Sequence, residues 1–285
     1  MHSRKIMIPT LLAASLLTYT ASAADLFNNG GLNPTSTTGS GVTSMPGTRW
    51  SELQNDGSAA VASTGSTCNG NFRIADDFTV PAGGWTIREI AVYAYQTNNV
   101  AQTINGMNIQ IWNGPPNAGG AVVFGDTTTN RLNTVVATNL IRTFSTSFPA
   151  AASPTVLRRP YEFRAIIETA PGVGLTLPAG TYWIDFQLVQ NTNLAAASIF
   201  SPTVTVPGAR NRPTDNALQS NTGVWAAVVD TGNPATFGSV PLDFPFIIRS
   251  TVTPASCAQD INGDGQVGVA DLLAVITAWG ACPTP

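Results

Sequence analysis

Histidine and lysine are almost absent: the 285 residues contain one of each, His2 and Lys5, both within the first five positions. Charged residues make up only 10% of the chain, and there are three cysteines. No stretch reaches about 18 unbroken apolar residues, so no membrane span is expected. These shortages exclude whole mechanisms beyond residue 5. Without histidine, neither Ser-His-Asp nor Cys-His catalysis can be assembled, nor a His-ligated zinc or iron centre. Without lysine there is no Schiff-base chemistry. Carboxylate catalysis and metal binding through carboxylate and carbonyl oxygens remain easy to build. No basic patch is present, which argues against a nucleic-acid partner.

The N-terminal residues explain part of this. Arg4 and Lys5 precede an apolar run from Ile6 to Leu17, and Ala21-Ser22-Ala23 follows. That order is a bacterial-type signal peptide covering residues 1–23, with cleavage expected after Ala23. The mature chain is therefore expected to be secreted, extracellular or at the cell surface. It would carry eleven arginines against sixteen carboxylates, a formal charge of −5.

The rest of the chain is rich in turn formers, with 26 Gly and 20 Pro. Residues 24–48 are dominated by Gly, Ser, Thr and Asn and read as a flexible lead-in with room for one edge strand. From about 49 to 253 the hydrophobic period is two. In MNIQIW, Met107, Ile109 and Ile111 share a face; in YEFRAIIE, Tyr161, Phe163, Ala165 and Ile167 do; in TYWIDFQLV, Tyr182, Ile184, Phe186 and Leu188 do. Further strands are predicted over 72–80, 85–95, 121–125, 138–145, 198–205, 224–230 and 244–251. About ten strands without an intervening helix predict an all-β fold, an antiparallel β-sandwich of jelly-roll type. FTVPAGGWTI at 78–87 and LTLPAGTYWI at 175–184 are alike, and Pro-Ala-Gly between two strands predicts a hairpin-type turn in each.

Residues 260–271, DINGDGQVGVAD, hold three of the sixteen carboxylates. Counted from Asp260, position 3 is Asn262, 5 is Asp264, 6 is Gly265, 7 is Gln266 and 12 is Asp271. Calcium takes six to eight oxygen ligands. This spacing offers side-chain oxygens at 1, 3, 5 and 12, the Gln266 backbone carbonyl at 7, and a glycine at the sharp bend. Three carboxylates crowded together repel unless a cation lies between them, so Ca²⁺ is the expected cofactor. In DLLAVITAWG, Leu272, Val275, Ile276 and Trp279 form one apolar helical stripe, and Gly280 and Pro283 stop the helix.

A calcium loop with an exiting helix and no entering one, together with the run DxNxDGxVxxxDLL, resembles a type I dockerin repeat over residues 260–280. The resemblance implies calcium-dependent folding, an extracellular location, a cohesin-like partner on a cell surface, and frequent attachment to polysaccharide-degrading enzymes. The implied ligands are Asp260, Asn262, Asp264, Gln266 and Asp271. Dockerins carry two repeats; a single DxNxDG occurs here. Cys257 and Cys282 flank the unit, and in an oxidising compartment a disulfide between them is expected, making residues 257–282 a small C-terminal module. Its loop of roughly 25 residues would stabilise it by about 3–4 kcal/mol. Cys68 is left over, with no neighbouring base to activate it.

For the sandwich, the leading expectation is a non-catalytic binding domain for carbohydrate or for display at the cell surface. Of Trp50, Trp85, Trp112, Trp183 and Trp225, the best ligand-binding aromatics are Trp112 and Trp183, which alternate onto the polar faces of their strands. The alternative is a polysaccharide-degrading glycoside hydrolase or lyase acting through Asp and Glu, which needs two carboxylates held about 5–9.5 Å apart. Asp76-Asp77 is a poor pair because strand neighbours point to opposite faces. Asp185 and Glu162 alternate onto solvent-type faces.

Overall fold

A computed structural model describes residues 25–38, 41–52, 65–98, 102–143, 158–193, 197–205, 212–230, 239–252 and 268–277. Residues 1–23, expected to form a signal peptide, and Cys257, Cys282, Asp260, Asn262, Asp264 and Gln266 lie outside the described residues. By contacts the chain divides into residues 23–255 and a second unit that includes 256–285.

The longest strand shows how the body is built. In β15 (Gly180–Gln190), Tyr182, Ile184, Phe186 and Leu188 all turn to one side, and none is more than 7% exposed. Strand β15 lies between β5 (Phe72–Val80) and β8 (Ile104–Trp112), both antiparallel to it. Strands β17 (Leu218–Asn221), β18 (Val224–Ala227) and β9 (Val122–Gly125) complete a six-stranded sheet in the order β18-β17-β5-β15-β8-β9. A five-stranded antiparallel sheet supplies the second layer. Its order is β1 (Asp25–Asn28), β21 (Phe246–Arg249), β7 (Glu89–Ala94), β12 (Tyr161–Ile166) and β10 (Leu132–Ala137).

The inward residues of both sheets meet in one core: Ile74, Phe78, Ile109, Ile111, Ile184 and Phe186 from the first sheet, Ile90, Val92, Phe163, Ala165, Phe246 and Ile248 from the second. Each large side chain buried there stabilises by about 1.5–3 kcal/mol. The protein is thus an all-β, sandwich-like fold. The chain changes sheet repeatedly, from β5 to β7, β7 to β8, β9 to β10, β12 to β15 and β18 to β21.

Smaller sheets decorate this frame. Strands β2 (Pro34–Thr35), β3 (Arg49–Glu52) and β11 (Leu140–Thr143) form one in which β3 and β11 run parallel. Strands β6 (Trp85–Ile87), β13 (Glu168–Ala170) and β14 (Val173–Leu177) form another. Two-stranded pairs join β4 (Ser66–Thr67) to β16 (Phe200–Ser201) and β19 (Val229–Asp230) to β20 (Val240–Pro241). The one described helix, α1, spans Val269–Thr277.

Two expectations need correction. The segment 24–48 is not a loose lead-in where it is described. Strand β1 pairs with β21, Phe27 packs on the core against Phe246, and Leu32 is 5% exposed. Its apolar residues Leu26 and Phe27 gain more from burial than the surrounding glycines cost in ordering. The two Pro-Ala-Gly motifs are not hairpin turns. The strands on either side of each do not pair with one another: β5 pairs with β15 and β6 with β14. Each motif is a corner, and the two corners lie on neighbouring strands, with Gly180 opposite Val80 and Leu177 opposite Trp85. Glycine is required at Gly84, where φ is +73° and a Cβ would come within 2.7 Å of the Leu177 carbonyl oxygen.

Candidate functional site

Because β7 and β12 are antiparallel and in register, Tyr93 and Glu162 sit directly opposite each other on the outer face of the five-stranded sheet. The Tyr93 hydroxyl donates to Glu162 Oε2 at 3.3 Å. Glu162 Oε1 accepts from Arg164 Nε at 2.7 Å and from Arg249 Nη1 at 3.2 Å. Arg249 also binds Glu89, which is fully buried, at 2.7 Å and Asp25 at 3.0 Å. The network fixes the Glu162 carboxylate on a rigid strand. Burial, and the Glu162 carboxylate beside it, raise the Tyr93 hydroxyl above its ordinary pKa, so it stays a neutral donor.

Beside this pair opens a cavity of about 430 Å³. Tyr93 and Glu162 line it from the sheet; Leu32, Pro34, Arg49 and Leu140 line it from the β2–β3–β11 side, with Thr138 and Asn139. Sequence reading placed Glu162 on a solvent face and did not find the cavity. Its lining comes from segments more than a hundred residues apart, which no local pattern connects.

The outer face of the six-stranded sheet is differently organised. Trp112 and Trp183 lie there side by side, as alternation predicts. Trp183 is only 6% exposed; it packs with Ala75 and Leu218 while Trp112 and Trp225, both half-buried, lean on the cluster. Asp185 was expected on a solvent face, yet it is fully buried. Its Oδ1 accepts from Arg73 Nε at 2.6 Å and its Oδ2 from Trp112 Nε1 at 3.2 Å. Burial pushes its carboxyl up to about 6, against the lowering effect of Arg73 and the two hydrogen bonds. The large flanking side chains exclude water from this acid, and strand alternation says nothing about that. Of the remaining tryptophans, Trp50 is buried with its indole N–H donating to the Val42 carbonyl, and Trp85 stacks on Phe78 at 6.3 Å.

A third group is a cluster of carboxylates. Asp76 and Asp77 do face opposite ways: Asp76 is fully buried, accepting from Asn29 Nδ2, the Phe244 backbone N–H and the Asp77 backbone N–H. Asp243 accepts from the Asn216 backbone N–H and Arg212, and Asp215 also binds Arg212. Burial pushes Asp243 up to about 7 and raises Asp76 well above the usual carboxylate range, with Asp243 adding to the effect at Asp76. The Asn29, Phe244, Asn216 and Arg212–Asp243 contacts tie distant segments of the body together, so the cluster reads as a latch within the fold. Cys68 is buried with its thiol raised by desolvation and held near the Ile199 carbonyl, which suits a core residue and not a nucleophile.

Of the expected calcium ligands, Asp271 is described. It lies in the first turn of α1, 4% exposed, and its Oδ2 accepts from the Gly268 backbone N–H at 2.7 Å. Carboxylate and amide oxygens are the donors a hard cation takes, so this residue set fits Ca²⁺ by chemistry. Among the described residues, no group of three or more His, Cys, Asp or Glu side chains is placed to hold a metal, and no helix is long and apolar enough to cross a membrane.

No protein-family model, curated protein or solved structure matches this chain.

Proposed function

We propose that the protein is a secreted, non-catalytic carbohydrate-binding sandwich carrying a calcium-dependent C-terminal module. The observation that carries the reading is the DxNxDGxVxxxD spacing of residues 260–271, running into a helix that begins at Val269 with Asp271 in its first turn. Dockerin-like modules of this kind accompany proteins that work on polysaccharides outside the cell. The sandwich adds aromatic side chains and a sizeable cavity. A carboxylate-based hydrolase is the weaker reading: Asp185 and Asp76 are buried with their oxygens engaged by the protein itself.

Two measurements test this. Titration of the mature chain with Ca²⁺ is expected to show about one site, abolished by Asp260→Ala combined with Asp264→Ala. Sedimentation with insoluble polysaccharides is expected to retain the protein without release of reducing sugar. Absence of calcium binding, or sugar release without retention, would overturn the proposal.

A further inference from the structure

We infer that the cavity beside Tyr93 and Glu162 is the ligand site of the sandwich, and that it takes a neutral, hydroxyl-rich ring of one or two pyranose units. The inference rests on the carbohydrate reading above and gives it a place.

Size is the first argument. At about 430 Å³ the cavity falls in the range of small-molecule sites, which run from about 300 to 1,000 Å³. Its lining has the mixture a sugar needs. Exposed Pro34, backed by the buried Leu32 and Leu140, gives an apolar wall suited to the C–H face of a ring; Tyr93, Glu162 and Arg49 supply hydroxyl, carboxylate and guanidinium.

Charge decides the ligand class. Glu162 is already engaged by two guanidinium groups, Arg164 and Arg249. Arg249 is shared with Glu89 and Asp25, so the network holds three carboxylates against two guanidiniums, and Arg49 in the cavity lining brings the charges to balance; neither a cation nor an anion is favoured there. A neutral hydroxyl needs no such bias. It finds a fixed, charge-assisted acceptor whose orientation is set before binding. A carboxylate offers about four acceptor positions. At Glu162 three contacts occupy them, the Tyr93 one long at 3.3 Å, so room remains. Arg49 is exposed at the rim, where an ion pair with a ligand would be screened by water but its N–H groups could still donate to hydroxyls.

The tryptophan face offers less. Trp183 is 6% exposed, and the Trp112 indole N–H is committed to Asp185. Trp112 and Trp225 remain half-exposed there, but the charged groups beside them, Arg73 and Asp185, are engaged with each other.

The experiment is calorimetric titration of the purified chain with soluble mono-, di- and trisaccharides, with free amino acids as zwitterionic controls. The variants are Arg49→Ala, Tyr93→Phe and Trp112→Ala, each first shown to be folded at the titration temperature by a cooperative melting transition well above it. Saccharide binding weakened roughly tenfold or more by Arg49→Ala and measurably by Tyr93→Phe, with Trp112→Ala close to wild type, is the expected result. Binding that survives both cavity variants but is lost in Trp112→Ala overturns the cavity assignment and leaves the carbohydrate reading standing. Binding of amino acids in place of sugars, sensitive to the cavity variants, overturns the ligand class. If neither soluble sugars nor insoluble polysaccharides bind, the carbohydrate reading falls and this inference falls with it.

Discussion

The sandwich and the C-terminal helix bury opposite kinds of residue. In the body the hidden side chains are Ile74, Phe163, Phe186 and their neighbours, a continuous apolar core between two sheets. In α1, Leu272, Leu273 and Ile276 are 58%, 54% and 55% exposed while Asp271 is 4% exposed. A domain of some two hundred residues can hold itself together by removing apolar surface from water. A unit of about 25 residues has too little such surface and needs another source of order, which the proposed calcium ion would supply. On the proposed reading, the two regions should therefore respond to different perturbations.

The largest separation is expected from the core. Phe186→Ala should destabilise the body by about 3–5 kcal/mol, read as a shifted denaturation midpoint, while calcium binding to the folded protein stays unchanged. A parallel loss of calcium affinity would show that the two regions are not independent. Asp185→Ala comes next, since it leaves the Arg73 guanidinium buried without its carboxylate partner: about 3 kcal/mol, again with no calcium effect. Asp185→Asn, which retains volume and an acceptor, should cost less.

Calcium removal sharpens the comparison from the other side. Saturation at a hundred times the dissociation constant stabilises a binding unit by about 2.7 kcal/mol. Chelation should therefore speed proteolysis after residue 255 and leave the body's melting temperature where it was. A body transition that moves with chelator would break the division.

The remaining comparison concerns pH. Asp243 is pushed up to about 7 and Asp185 to about 6, from about 3.9 in the unfolded chain. The folded protein therefore holds protons that the unfolded chain releases. The stability from these groups is complete below about pH 4 and is lost as pH rises through 6 to 7. The body should melt several degrees higher at pH 5 than at pH 8, and Asp243→Asn should flatten that slope. A melting temperature that rises with pH over this window would contradict the burial of the carboxylate cluster.

Much of the architecture was legible. Strand β5 has the expected limits, 72–80, and the inward residues of β8, β12 and β15 are those that period two selects. Alternation is a property of extended backbone and survives whatever packs above it. Strands β10 and β17 went unread, and β14 was read only as the LTL that leads into Pro-Ala-Gly. LNTVVA and LQSN carry polar residues at positions that tertiary neighbours cover, and VGLTL merges into the motif that follows it. The Pro-Ala-Gly corners were recognised as turns but not as corners, because hairpin and corner differ in which strands pair, and pairing is non-local.

By itself, the sequence determined the chemistry available to this protein: which mechanisms lack their residues, which side of each long strand is apolar, and where oxygen ligands recur at calcium spacing. Those are local facts of composition and period. Only the tertiary structure decided that Asp185 is buried while Glu162 borders a cavity, although both alternate onto outward faces. Solvent exclusion is set by side chains arriving from strands a hundred residues away, and a carboxylate's charge, reach and protonation follow from that surrounding.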